Sequence, residues 1–498
     1  MIIDKSGTTP LYIQIREDLR ESIASGALAP GDRLPAVTAL AAERGVTPAT
    51  IRRALSDLVD ENLIYTHVGR GTFVGENPDR SAGKPSATPF RQESSGKAAR
   101  RLAQNVQASL LEMLSLAQKP SVIAFTRGVG NLDSVEQDIL ARMTKQALAH
   151  GEEGYWDYGD PKGILSLRNA IARQYSRRGL VISPEQILVT NGSQQATALI
   201  AQQTAENGNR VLCETPCYTG GTNAFSAFNV PIETVTRDQD GPLPDRFASG
   251  DDQDAVFYLC PILHNPMGTD CSSERRKAVT DWARRNHALI LSDEVFHDLH
   301  FEEDGVPRSF LDEPGPERVA VMGSLSKSFI AGLRVGWIIS SEERIRTLTR
   351  IKKTMDLGCP PLIQGIAREF LDTEYESHRH KVSALYRERR DRTLSALARH
   401  MPDGVTWTRP QGGFQLWVTL PAPYSSVALF LRGIDNGVAF LPGPLQDINN
   451  RFVSSFRLCY GSLAPETIET GIERLAKTVK HYLSRPPSEN GLTGLGDF

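Results

Sequence analysis

Residues 324–337 read Ser-Leu-Ser-Lys-Ser-Phe-Ile-Ala-Gly-Leu-Arg-Val-Gly-Trp. A single lysine, Lys327, sits among small hydroxylated residues, and Arg334 follows it inside an apolar run interrupted by glycine. A lysine held away from bulk water gives up its proton more easily and becomes an amine nucleophile, which an aldehyde captures as a Schiff base. The neighbouring Ser324 and Arg334 suit a phosphate, since a guanidinium offers a planar fork of donors and a hydroxyl adds another. An aldehyde that carries a phosphate points to pyridoxal 5'-phosphate (PLP). Alone, such a lysine reads as a solvated surface residue, so the weight of the reading lies upstream.

Short apolar strands alternate with helical patterns across residues 100–485, which predicts an α/β fold with a mostly parallel sheet. Ile187-Leu188-Val189-Thr190 reads as a strand, and Asn191-Gly192-Ser193-Gln194-Gln195 leads into a helix predicted over Ala196–Ala205. Such a turn offers free N–H groups and the positive end of the helix dipole to an anion, which makes Ser193 and Gln194 candidates. Tyr218 follows the exit of the next strand, Val211–Glu214, with a ring able to stack on a pyridine. The strand Ala255–Leu259 leads to Asn265 in Asn-Pro-Met-Gly, a neutral donor for a ring oxygen, although Asn-Pro-x-Gly by itself is a turn. Ala288–Ser292 is an apolar strand with Asp293 and Glu294 at its carboxyl end. A carboxylate there can keep a pyridine nitrogen protonated, so that the ring draws electrons. These candidates all fall at carboxyl ends of strands, where α/β sheets bind ligands.

The chain has 498 residues and a formal net charge of −3, so it holds a large core and any contact with nucleic acid has to be local. Its 6 cysteines carry no paired CxxC spacing, which argues against a metal centre and for reduced thiols. The apolar stretch after Met1 is too short for a signal peptide, and no run approaches membrane-spanning length. The expectation is a cytoplasmic protein with no metal and no membrane.

Residues 1–75 read as a separate helical module. Tyr12, Ile15, Leu19 and Ile23 recur at helical spacing until Gly26, and a second short helix runs through Leu40 to Arg44 before Gly45 breaks it. Thr47 is a good N-cap with Pro48 behind it, and Ile51, Ala54, Leu55, Leu58 and Val59 then form an apolar stripe that leaves Thr50, Arg52 and Arg53 outward. A helix-turn-helix presents its second helix to the major groove. A hairpin follows, Leu63–Val68 and Gly71–Val74, with Arg70 at its tip. Arg33, Thr47, Thr50, Arg52, Arg53 and Arg70 are the candidate DNA contacts. Residues 4–76 hold 8 Lys/Arg against 10 Asp/Glu, so the basic footprint is narrow. Residues 76–99, rich in Pro, Gly and Ser, read as a linker, and 486–498 as a polar tail.

Residues 31–74, GDRLPAVTALAAERGVTPATIRRALSDLVDENLIYTHVGRGTFV, resemble the winged helix-turn-helix of the GntR family. Ala36-Val37-Thr38 stands where that family usually has Ser-x-Arg, which removes a phosphate or base contact. The ordered set Gly-Ser-Gln, Tyr, Asn-Pro, Asp-Glu, Ser-x-Ser-Lys and Gly-x-Arg-x-Gly resembles the fold-type I, class I/II aminotransferases over residues 100–485. That resemblance implies that Lys327 forms the internal aldimine with PLP and that Asp293 pairs with the pyridine nitrogen. It implies that Asn265 holds the ring hydroxyl, that Tyr218 stacks on the ring, and that Ser193, Gln194, Ser324 and Arg334 bind the phosphate. Tyr158, in Tyr-Gly-Asp-Pro-Lys-Gly, would reach the phosphate of a partner subunit in a homodimer, and Arg457, in Phe-Arg-Leu, would clamp a substrate carboxylate. The family often has a tyrosine three residues after the aspartate. This chain has Phe296, which is expected to weaken transamination and spare PLP binding.

A GntR-type reader joined to such a body resembles the MocR/GabR subfamily of bacterial regulators. The resemblance implies a PLP-bound dimer in which an amino acid or amine forms an external aldimine and changes how the modules meet a double-stranded operator. The competing reading is a working aminotransferase, converting amino acid to 2-oxo acid, with an accessory DNA-binding module. A DNA-binding protein whose body only dimerises is a third, and the presence of every cofactor contact speaks against it.

Overall fold

The computed structural model describes residues 11–29, 31–35, 37–48, 50–51, 54–55, 58, 63–67, 71–75, 114–130, 137–151, 155–243, 252–302, 307–312 and 317–485. The chain divides into two compact units, 1–92 and 93–498.

In the first unit, apolar residues at helical spacing make α1 (Leu11–Ala24), with Ile15, Leu19 and Ile23 buried. Gly26 stops it with a φ of +80°, which glycine adopts without steric cost. Beyond α2 (Val37–Arg44), Pro48, Thr50, Ile51, Ala54, Leu55 and Leu58 are helical, and Ile51, Ala54, Leu55 and Leu58 join the α1 residues in one core. The hairpin β1 (Ile64–His67) and β2 (Gly71–Val74) is antiparallel and shorter at its first strand than the sequence predicts. The turn at 31–35 is tied to this wing, with Leu34 N–H donating to the Thr72 carbonyl at 2.9 Å. The candidates Arg52, Arg53 and Arg70, the predicted linker and the predicted tail lie outside the described residues.

The second unit is built on one sheet. Its strands are β3 (Ile187–Thr190), β4 (Val211–Thr215), β5 (Ile232–Asp238), β6 (Gly241–Pro242), β7 (Val256–Leu259), β8 (Leu289–Asp293), β9 (Val319–Ser324) and β10 (Gly336–Ile339), in the order β3-β10-β9-β8-β7-β4-β5-β6. Every residue of β3, β4 and β7 to β10 is buried, as expected of strands covered on both faces. Successive side chains divide between the faces: Ile187 and Val189 pack with Trp282 and Phe370, and Leu188 packs with Leu199 and Ile345.

β9, β8, β7, β4 and β5 are mutually parallel, and β10 runs antiparallel between β9 and β3. β3 therefore points the same way as the parallel set. The carboxyl ends of β3, β4, β7, β8 and β9 meet along one edge, and the β9–β10 connection, which carries Lys327 and Arg334, crosses that edge. A smaller antiparallel sheet follows, made of β11 (Thr406–Trp407), β12 (Gln415–Thr419), β13 (Leu441–Pro442) and β14 (Ser455–Cys459). It shares a separate core with the long helix Tyr375–His400 and the C-terminal helix Pro465–Leu483, through Tyr386, Leu397, Leu416, Phe456, Ile472 and Leu475. Among the described residues no helix is long and apolar enough to cross a membrane.

Candidate active site

The anion end of the site is the turn between β3 and α3 (Ser193–Glu206). The helix begins three residues earlier than the sequence predicts, because Gly192, at φ +84°, serves as its N-cap. With no side-chain acceptor at the cap, the first N–H groups of α3 are left open to an anion. Arg334, itself left-handed at φ 55°, donates through Nη2 to the Asn191 carbonyl at 3.1 Å and through Nη1 to the Ala331 carbonyl at 3.2 Å. A Cβ at Gly192 would run into the Arg334 guanidinium, and one at Gly336 would lie 2.7 Å from the Gly192 carbonyl carbon. These glycines let the turn, the arginine and β10 close on each other.

Ser324 lies behind this surface. Its hydroxyl donates to the Val335 carbonyl at 3.1 Å and accepts the Ser326 N–H at 3.1 Å, so it braces the lysine turn, and it is Ser326 that lines the cleft. Gln194 Nε2 donates to the Gly220 carbonyl at 2.6 Å, which ties α3 to the loop carrying Tyr218. The Tyr218 ring lies against Gly220, where any Cβ would strike it.

At the ring end, Lys327 Nζ donates to the Gly128 carbonyl at 2.7 Å and stands 5.6 Å from the centre of the Phe296 ring. Burial lowers its pKa below the ordinary lysine value, and the nearby Arg457 charge adds to that. Asp293, the last residue of β8, is buried and accepts from Tyr258 Oη at 3.0 Å and from the Val295 N–H at 3.4 Å. Desolvation pushes its carboxyl up to about 6, with those two bonds pulling the other way. Asn265 Oδ1 accepts from Arg457 Nη1 at 2.9 Å, which leaves the amide nitrogen to donate to a ring oxygen. Arg457, buried on β14, also donates through Nη2 to the Thr126 carbonyl at 3.1 Å. Phe296 packs edge-on against Phe414 at 5.4 Å and presents no hydroxyl.

One cleft is thus lined by Ser193, Gln194, Tyr218, Asn265, Asp293, Lys327 and Arg334, joined by Ser326, Cys260 and Phe296. Arg457 borders it through Asn265, and Ser324 stands one layer back. Tyr158 is elsewhere: it is 71 % exposed on a surface loop, beside the still more open Trp156. Tyr258 and the Gly128 carbonyl escape a sequence reading, since nothing local to them marks the contact. Ser326 lies within the Ser-x-Ser-Lys pattern, which carries the signal for it beside Ser324. In the N-terminal unit, Thr47 Oγ1 accepts the Thr50 N–H at 3.3 Å, as an N-cap does, and Arg33 is exposed next to the wing strand.

The residues present fit PLP. The uncapped helix start and the arginine over Gly192 form a cradle for a phosphate dianion, and a desolvated amine and a buried carboxylate stand on the same cleft.

Residues 125–475 match the family described as aminotransferase class I and II, and residues 11–74 match the bacterial regulatory proteins of the gntR family. The chain is 29% identical over 485 residues to an uncharacterised HTH-type transcriptional regulator, YdfD, of Bacillus subtilis, covering 96% of this chain and 98% of that one. It is 31% identical over 397 residues to a 2-aminoadipate transaminase of Thermus thermophilus, covering 79% of this chain and 98% of the other. Among solved structures it is similar to the Thermus thermophilus α-aminoadipate aminotransferase LysN complexed with N-(5'-phosphopyridoxyl)-L-leucine, with a TM-score of 0.69 and 28% identity over 78% of this chain and 99% of that one.

Proposed function

This chain belongs to the class I and II aminotransferase family and carries a GntR-family module ahead of that body, and on this premise we propose that it is a PLP-dependent transcriptional regulator whose body senses an amino acid or amine. The observation that carries the proposal is coverage. Similarity to the regulator YdfD runs through module and body alike, whereas the 2-aminoadipate transaminase accounts for the body and leaves the module over. Pure catalysis has no use for a winged helix.

Bound PLP supplies a ring that withdraws electrons from an attached amine. The chain's own residues set how it is held. Arg334, Ser326 and the N–H groups of Ser193 and Gln194 take the phosphate, Asn265 donates to the ring oxygen, and Tyr218 covers one side of the cleft. Lys327, its amine kept neutral more easily by burial, provides the nucleophile, and Asp293 provides the carboxylate for the ring nitrogen. Arg457 takes the effector's carboxylate at the far side of Asn265. Phe296 offers no proton where a tyrosine would, which favours holding an amine over converting it.

A cytoplasmic homodimer completes the reading. The exposed Trp156 and Tyr158, with Leu357 in the neighbouring loop, form the face for a second copy, and Tyr158 reaches the partner's phosphate from there. Arg33, Thr47, Thr50, Arg52, Arg53 and Arg70 meet the operator. An effector shifts DNA binding only by the difference in its affinity for the two arrangements of the dimer.

The test is to select duplexes from a random pool with the full chain and PLP, then titrate amino acids and amines against the selected DNA. One amine should change the affinity or the footprint, and Lys327→Ala should abolish that response. DNA binding indifferent to every amine, together with steady conversion of an amino acid into a 2-oxo acid, would favour the alternative, a catalytically active aminotransferase with an accessory module. That alternative draws on the intact Lys327, Asp293 and Arg457.

A further inference from the structure

One buried charge has no part in the chemistry above. Lys352, in the helix Glu342–Met355, is fully buried, and its Nζ donates to Asp356 Oδ1 at 2.6 Å. The other oxygen of Asp356 accepts from Gln195 Nε2 at 2.6 Å and from Asn191 Nδ2 at 2.9 Å. Gln195 in turn receives the Asn191 backbone N–H on Oε1 at 2.8 Å. Asn191 is therefore held by its side chain and its backbone at once, and its carbonyl is the acceptor for Arg334 Nη2. Burial pushes the Asp356 carboxyl up, but the bonds from Lys352, Gln195 and Asn191 outweigh it and keep the group ionised.

A helix start binds an anion well only when the turn ahead of it is fixed, because each degree of freedom left in the turn must be frozen on binding. Gly192, next to Asn191, is the residue least able to fix itself. Its neighbours have to do so. We propose that Asp356, charge-balanced by Lys352, is the positioning residue of the anion end: it locks Asn191, and through it Gly192, Ser193 and Arg334, in the arrangement that leaves the first turn of α3 open to phosphate. This rests on the reading of that turn as the phosphate site. It goes beyond that reading by giving the buried lysine–aspartate pair a task.

The test uses the full-length protein freed of cofactor and titrated with PLP and, separately, with pyridoxal, which has the same aldehyde and ring but no phosphate. The ratio of the two affinities reports the anion end alone. Asp356→Asn, near-isosteric, should reduce the preference for PLP by at least about tenfold while pyridoxal affinity stays within about twofold. Removing the carboxylate strands Lys352, so the double variant Lys352→Met with Asp356→Asn guards against a folding defect, and it should show the same loss of preference. Gln195→Met, which removes one donor to Asp356 and the acceptor for the Asn191 N–H, should act in the same direction by about threefold. An unchanged ratio in all three variants would overturn the proposal, as would equal losses for PLP and pyridoxal, which mark general damage. If the unmodified protein itself shows no preference for PLP, the phosphate site and the proposal fall together. If that preference is present and Asp356→Asn retains it, only the proposal falls.

Discussion

At the anion end, Asn191, Gly192, Ser193 and Gln194 are consecutive residues of one strand-to-helix turn; at the ring end, Lys327 bonds a carbonyl 199 positions away and Arg457 bonds Asn265 across 192 positions. The first arrangement is one stretch of backbone whose short-range order sets the turn, with Asp356 and Arg334 bracing it from 165 and 143 positions away. The second exists only because the smaller sheet and its helices dock against the edge of the main sheet. An amine entering the ring end meets contacts drawn from both layers, so this is the end at which occupancy can change how the layers sit. On the proposed reading, the anion end is the anchor.

Substitutions that disable each end separately tell the two apart. Arg457→Leu should weaken an amino acid effector by on the order of a hundredfold, about 3 kcal/mol, because a buried carboxylate loses its charged partner. The same variant should leave an effector amine without a carboxylate nearly unaffected in parallel titrations. Arg334→Ala strikes the other end. It should cost PLP roughly thirtyfold in affinity, about 2 kcal/mol for charge-assisted hydrogen bonds, and spare pyridoxal.

Asp293 gives a subtler test of the ring end. It titrates at about 6 in the folded chain without cofactor, against an ordinary 3.8. The folded state thus holds this proton to higher pH than the unfolded state, so the group favours folding at low pH and that advantage is lost as pH rises from about 4 through 6. Asp293→Asn removes the buried charge. The cofactor-free variant should be more stable than the parent at about pH 8 by about 3 kcal/mol, read as a higher Tm, with the gap closing near pH 4. The smallest effect is expected from Phe296→Tyr. Restoring a hydroxyl beside the ring should shift the visible band of the bound cofactor and raise keto-product formation by roughly threefold, under 1 kcal/mol of barrier.

The contrast between the ends also explains what could be read from the sequence. The turn at 191–195 is legible because short-range order dictates it, a strand, a glycine at positive φ, then a helix, and the Lys327–Arg334 stretch is legible as a motif of consecutive residues. The strands of the main sheet were legible for a similar reason, since both faces are covered and they appear as unbroken apolar runs. The start of α3 lies three residues ahead of the predicted one because Gly192, with no capping side chain, takes the N-cap position. Tyr258 is not legible because its hydroxyl meets Asp293 across neighbouring strands, a matter of register that its own segment does not encode. The Gly128 carbonyl was invisible in the same way. Ser324 drew attention through its place in the motif, and the structure gives its hydroxyl to the Val335 carbonyl, with Ser326 on the cleft.

The most direct measurement is a visible spectrum of the full-length protein with PLP, scanned while candidate amino acids and a 2-oxo acid are added, with Lys327→Ala alongside. The unmodified protein should show a band that the variant lacks, and that band should change on adding one amine with no accumulation of keto product. Absence of any band in the unmodified protein would contradict the cofactor assignment, and steady formation of keto product would contradict the assignment as a sensor.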